Sequence, residues 1–190
     1  MAIICDNTLS AMALRSLLTD MVPGIDVVCY RSVDELLRED SVVAHYFVSA
    51  AVLFRNAEYF KPYMRRTIVL TEGEASPFVQ SGFRTIDVTE SEQHIVRAIM
   101  EIHRAGHPSG SHPNVSIATV GQPVLSSREK DVLALVVKGR INKEIADELN
   151  ISLATVIFHR NNISEKLQTR SIGRMTIYAV LNNIVQLTDI

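Results

Sequence analysis

The sequence predicts two structural classes in one chain: an α/β domain on a parallel sheet, then an all-α domain. Three observations carry this. Residues 1–103 alternate short apolar runs with segments of helical spacing, the pattern of βαβ units whose sheet is covered on both faces. Residues 125–190 show helical spacing with explicit start and stop residues and no alternating strand pattern. Between them, residues 104–122 read RAGHPSGSHPNVSIATVGQ, and the Gly, Pro and Ser of its first half suit a connector. The boundaries that follow are 1–104, 105–122 and 123–190.

In the first domain, residues 1–5 form a short apolar run and 10–22 have helical spacing. Residues 25–30 are apolar again, 33–39 helical, and 45–53 a long apolar run. Residues 67–71 read as a strand, 83–88 as another, and 92–104 as a helix. Residues 55–66 and the region of Pro77 hold the remaining connections. No Gly-rich nucleotide fingerprint follows any strand, which argues against dinucleotide binding.

The second domain opens with Ser126 and Glu129, spaced as a capping box in which the hydroxyl and the carboxylate each satisfy a free N–H. Val132, Leu133, Val136 and Val137 follow on one face, and Gly139 suits a left-handed helix exit. Asn142 can cap the next helix, whose Ile145, Ala146 and Leu149 point inward. Asn150 can end it in the left-handed region, Ile151 plugs the turn, and Ser152 caps a third helix. Two helices joined so tightly make a helix-turn-helix. On a wheel of the third helix, Val156, Ile163 and Leu167 cluster on one side, with His159 and Arg160 at its margins. Ala154, Phe158, Asn161 and Glu165 fall opposite, flanked by Ile157 and Asn162. A helix so disposed can enter a DNA major groove. The bland alternative, an ordinary solvated face, leaves turn, caps and exposed amides to coincidence.

Length and composition agree with a two-part cytosolic protein. The net charge of −2 divides unevenly: residues 1–122 carry 10 basic and 14 acidic groups, residues 123–190 carry 9 and 7. A domain at +2 is only weakly basic, so tight DNA binding needs a dimer or a partner. Cys5 and Cys29 each lie in an apolar run and read as packed free thiols. Asp6 interrupts the first apolar run too early for a signal peptide, and no stretch of about 18 apolar residues is available to span a membrane. His107 and His112 lie in the connector without a cysteine, short of a zinc shell. Glu72 and Glu74 read as a solvated turn, and His94 and His103 as surface or packing groups. No cofactor, metal or catalytic constellation is expected.

Residues 125–178 closely resemble the LuxR/NarL/FixJ family of bacterial transcription regulators. The resemblance rests on Leu125, Ser126, Arg128, Glu129, Val132, Leu133 and Gly139. It continues through Asn142-Lys143-Glu144-Ile145-Ala146, Leu149, Ile151-Ser152, Thr155-Val156, His159, Ile163, Lys166-Leu167 and Ser171. It implies a four-helix domain that binds double-stranded DNA as a homodimer, its fourth helix often carrying the dimer contact. Here that helix spans about residues 172–187, with Met175, Tyr178 and Leu181 as dimerisation candidates. The implied DNA-contacting set is Lys143, Ser152, Thr155, Ile157, Phe158, His159, Arg160, Asn161, Asn162 and Lys166. The chain departs from the family at Ile157, where members often carry Lys or Arg. Ile157 and Phe158 either meet thymine methyls or face a protein partner.

An α/β domain before such a helix-turn-helix resembles a response-regulator receiver, a CheY-like (flavodoxin-like) fold. Ile3-Ile4-Cys5-Asp6-Asn7 is similar to its first strand and acidic tip, and Ile68-Val69-Leu70-Thr71 to its fourth strand. Aspartyl phosphorylation needs a carboxylate at the end of the third strand, an acidic pair for a divalent cation, and a lysine. Here the third strand ends near Val48-Ser49-Ala50-Ala51 without an aspartate, Asp6 is followed by Asn7, and the fifth strand has no lysine; Thr71 alone keeps its expected role. The resemblance implies a degenerate receiver with a site of Asp6, Asn7, Ser49 and Thr71. The alternatives are a module that pairs with another regulator, and a phosphate-switched regulator using an unrecognised acceptor, for which Asp87 is the strand-end candidate.

Overall fold

The computed structural model describes residues 1–22, 24–39, 42–73, 75–105 and 124–190. The connector read at 105–122, with His107 and His112, lies outside these residues apart from Ala105, and so does Glu74. Two compact units result. One holds Met1–Ala75 and the chain from Phe83 through residue 105; the other holds Ser76–Gly82 and the chain from residue 124 on.

The first unit is a parallel five-stranded sheet in the order β2-β1-β3-β4-β5. Its strands are β1 (Ala2–Ile4), β2 (Val28–Tyr30), β3 (Tyr46–Ser49), β4 (Thr67–Thr71) and β5 (Arg84–Asp87). This is the flavodoxin-like order, which reverses direction between β1 and β3 and so leaves a crevice at their carboxyl ends. The register Ile4↔Val48 and Ser49↔Leu70 brings the residues after β1 beside the end of β3.

Helices α1 (Thr8–Met21) and α6 (Glu92–Ala105) supply Leu14, Leu18, Ile99 and Ile102 to a core with Ile3, Phe47, Ile68 and Ile86. Cys5 is buried and Cys29 half-buried, both free thiols pushed above their ordinary pKa by burial. Shorter helices α2 (Val33–Leu37), α3 (Ala50–Arg55) and α4 (Ala57–Phe60) complete the connections, followed by a 3-10 segment, Lys61–Arg66. The apolar run of residues 45–53 is not one element. Ser49 accepts a hydrogen bond from the Val52 amide at 3.3 Å, which turns the chain from strand into helix at that residue.

The second unit is helical: α5 (Ser76–Gln80), α7 (Ser127–Val137), α8 (Asn142–Leu149), α9 (Leu153–Lys166) and α10 (Ile172–Leu181). Its core joins Leu133 of α7, Ile145 of α8, Ile163 of α9 and Ala179 of α10, all fully buried. The capping box is complete, with Ser126 Oγ accepting from the Glu129 amide at 3.2 Å and Glu129 accepting from the Ser126 amide at 2.7 Å. Asn150 ends α8 at φ 53°, and the Ile151 amide then reaches back to the Ala146 carbonyl at 3.0 Å. Gly139 takes φ 82° after α7. Asn142 is not the cap expected of it. The cap position is Ile141, whose amide is satisfied by the Glu144 carboxylate at 2.9 Å, leaving the Asn142 side chain free for another role.

Candidate functional site

The helix-turn-helix holds α9 with one face out. Ser152 Oγ accepts from the Thr155 amide at 3.1 Å and shares a 2.8 Å hydrogen bond with the Thr155 hydroxyl, so both are committed to starting the helix. Val156 and Ile163 are buried, and the side opposite is open: Ala154, Ile157, Phe158, Asn161 and Glu165 are exposed. Phe158 is 60% exposed and Ile157 45%, a high value for large apolar groups that pack against little of their own chain. Phe158 stacks edge-on with His159, ring centroids 5.8 Å apart. Asn162 is half-buried at the margin.

The basic groups divide. Lys143, at the start of α8, is exposed. Arg160 donates to the Asn142 Oδ1 at 2.7 Å, tying α9 to the start of α8 while leaving further guanidinium donors. Together they border a groove of about 610 Å³ with Ile141, Leu153 and Ile157 on its walls. Lys166 is occupied differently from the backbone contact expected of it. Its ammonium lies 2.7 Å from Glu129 Oε2 and 3.4 Å from the Val124 carbonyl. Burial alone raises the Glu129 carboxyl, but Lys166 and the Ser126 amide outweigh it and hold the pKa below the ordinary glutamate range.

The dimerisation candidates lie on the inner side of α10. Met175, Tyr178 and Leu181 are all buried within their own unit, where α10 packs on α7, so they offer no free surface. The large apolar side chain that α10 leaves exposed is Ile172.

The carboxyl ends of the strands carry the second group of candidates. Asp6 accepts from Ser49 Oγ at 3.2 Å on one oxygen and from Arg55 Nη2 at 3.2 Å on the other. Arg55 was not singled out by sequence reasoning. Its Nε also donates to the Ala51 carbonyl at 3.2 Å, which orients the guanidinium. Asn7 turns its carbonyl oxygen to the Leu9 and Ser10 amides as the cap of α1. Thr71 is buried, its hydroxyl 3.5 Å from the Ile86 carbonyl. Asp87 Oδ1 accepts from Thr89 Oγ1 at 2.6 Å, the Thr89 amide at 2.9 Å and the Gly73 amide at 3.0 Å. These bonds, led by the hydroxyl, depress its pKa and tie its Oδ1 into the loop. A hard divalent cation wants several free oxygens. The donor set here does not fit one: Asp6 has both oxygens engaged, and Asn7 spends its own on a helix. Among the described residues, no group of three His, Cys, Asp or Glu side chains converges as a metal site.

A flavodoxin-like unit joined to a helix-turn-helix defines a transcription regulator of response-regulator architecture. Residues 123–179 match the bacterial regulatory proteins of the luxR family. The transcriptional regulatory protein MctR of Rhizobium johnstonii is 32% identical over 151 residues, covering 73% of this chain and 67% of its own. The response regulator protein TodT of Pseudomonas putida is 40% identical over 77 residues, covering 40% of this chain and only 33% of its own length. The chain belongs to the LuxR family of bacterial regulatory proteins. In fold it is similar to RcsB solved as two dimers bound to two parallel DNAs, with TM-score 0.67 and 16% identity, covering 95% of this chain and 97% of that one. RcsB from Salmonella enterica serovar Typhimurium bound to the promoter P1flhDC gives TM-score 0.68 at 16% identity, again with 95% and 97% coverage. No helix among the described residues is long and apolar enough to cross a membrane.

Proposed function

We propose that this chain binds a duplex DNA site in the cytoplasm as a dimer, reading it with α9, and that its N-terminal unit acts without aspartyl phosphorylation. The observation that carries the first part is the open face of α9, a helix fixed at its start by Ser152, on which Asn161 is exposed; Lys143 is exposed at the start of α8. Asn161 is placed to meet base edges, where a bidentate amide–adenine pair is worth about 1–3 kcal/mol. Lys143 and Arg160 serve the phosphates, and half-buried Asn162 serves the backbone beside them. A weakly basic unit gains affinity by engaging two half-sites.

The test is a site selected from random DNA. Asn161→Ala relaxes sequence preference at one position, whereas Lys143→Ala weakens all sequences alike and flattens the salt dependence. Unchanged binding by both variants overturns the reading.

Exposed Ile141, Leu153, Ile157 and Phe158 favour a second reading, in which this face meets another regulator. Phe158→Ala separates them: loss of specific DNA affinity supports thymine contact, and loss of a protein complex with DNA binding intact supports the partner.

The second part rests on Ser49 in place of a carboxylate and on the engaged oxygens of Asp6. Acetyl phosphate with Mg²⁺ should change neither the mass nor the association state of the chain. A stoichiometric gain of one phosphoryl group restores a conventional switch.

A further inference from the structure

We propose that Arg55 is the resident cation of the strand-end site, its guanidinium standing where a divalent ion would otherwise neutralise Asp6. The inference deepens the non-phosphorylated reading and rests on it. Three observations support it. Asp6 is the one carboxylate that β1 delivers to the crevice, and its Oδ2 receives Arg55 Nη2 at 3.2 Å. The same arginine is braced by a 3.2 Å bond from Nε to the Ala51 carbonyl, one turn earlier on α3, so its head is directed rather than left to wander. The remaining Asp6 oxygen receives the Ser49 hydroxyl at 3.2 Å, and Ser49 also starts α3. Strand β1, strand β3 and helix α3 therefore converge on one carboxylate whose charge is balanced from within the chain.

The chemistry differs from that of a metal. A guanidinium carries one charge, forms directed hydrogen bonds and is always present. A divalent ion carries two, takes about six oxygens and comes and goes with its concentration. With Arg55 in place, the strand ends hold one charge arrangement at any Mg²⁺ level. The site also cannot recruit a phosphoryl donor through a bound ion. Asp6 and Arg55 are both half-exposed, so the pair acts by occupying the carboxylate and repelling a second cation rather than by adding much stability.

The experiment restores the missing acid and then removes the arginine. Asn7→Asp keeps a good helix cap, since Asp and Asn cap equally well. Mn²⁺ alone is the probe, with binding followed by electron paramagnetic resonance on the full chain. The wild-type chain shows no saturable binding. N7D binds weakly, because Arg55 still holds Asp6. N7D/R55Q binds at least about tenfold more tightly, as expected from removing a unit charge a few ångströms from a divalent ion. Equal affinity of N7D and N7D/R55Q overturns the proposal, and so does saturable wild-type binding as tight as that of the double variant. Circular dichroism of each variant confirms the fold. Phosphorylation is read separately: a wild-type mass gain with acetyl phosphate sinks the non-phosphorylated reading, while the Mn²⁺ comparison judges Arg55 by itself.

Discussion

Replacing Lys166 with Met tests the pair that fastens the end of α9 to the start of α7. The substitution keeps most of the aliphatic stem and removes the ammonium. Glu129 is then left 5% exposed with only the Ser126 amide and its neighbouring hydroxyl for company. A hydrogen bond to a charged group is worth about 1.5–3 kcal/mol. The ammonium is 40% exposed, so solvent screening lowers the expected loss to about 1–2 kcal/mol. For a domain of this size, each kcal/mol lowers the melting temperature by about 4–8 °C. The chain has no tryptophan, so far-ultraviolet circular dichroism or calorimetry is the assay.

A pH dependence accompanies the loss. Glu129 is held below the ordinary range in the folded chain, so its contribution is present above the unfolded pKa and fades as pH falls through the folded one. Removing Lys166 raises the folded pKa toward the unfolded one, so the loss is full near neutrality and shrinks as pH falls and Glu129 is protonated in both chains. The double variant E129Q/K166M should lose less than the sum of the single losses. An unchanged melting temperature, with weaker DNA binding and a shallower salt slope, refutes this reasoning and returns Lys166 to the phosphates.

Other expectations follow from particular residues. Asn150→Gly is nearly neutral by thermal melting, whereas Asn150→Ala loses about 1 kcal/mol, because the position sits at φ 53°. Leu133→Ala, in the middle of the helical core, costs about 2–5 kcal/mol in chemical denaturation. Arg160→Gln lowers affinity for a selected DNA site and slows none of the folding, since it loses one 2.7 Å tie to Asn142 and a cation but no buried group. Asp87→Asn leaves the response to acetyl phosphate unaltered by intact mass.

Much of the architecture was legible because its determinants are local. Ser126, Glu129, Gly139, Asn150 and Ser152 declare helix ends by chemistry that acts within a few residues. The exposed face of α9 was equally plain, since a helical wheel needs only the helix itself. What the sequence leaves open is what lies opposite each side chain. Met175, Tyr178 and Leu181 form an apolar stripe, and a stripe does not say whether its own domain or a second copy covers it. Lys166 is basic and sits on α9, and its partner within the chain lies 37 residues earlier. Arg55 is 49 residues from Asp6, and only the parallel register of β1 and β3 brings them together. In the run at 45–53 the strand end was legible to within a few residues, but the Ser49 side-chain bond that starts α3 was not.

Ser49 has a consequence for how such a chain can change over time. Its hydroxyl starts a helix, and an aspartate at the same place would start that helix equally well. The fold is therefore nearly blind to an exchange between the two. What holds the present arrangement is the company of the residue rather than the residue itself. An aspartate placed at position 49 would meet Asp6 already claimed and no second acid at Asn7. A carboxylate at this position alone would therefore not assemble an acidic cluster at the strand ends.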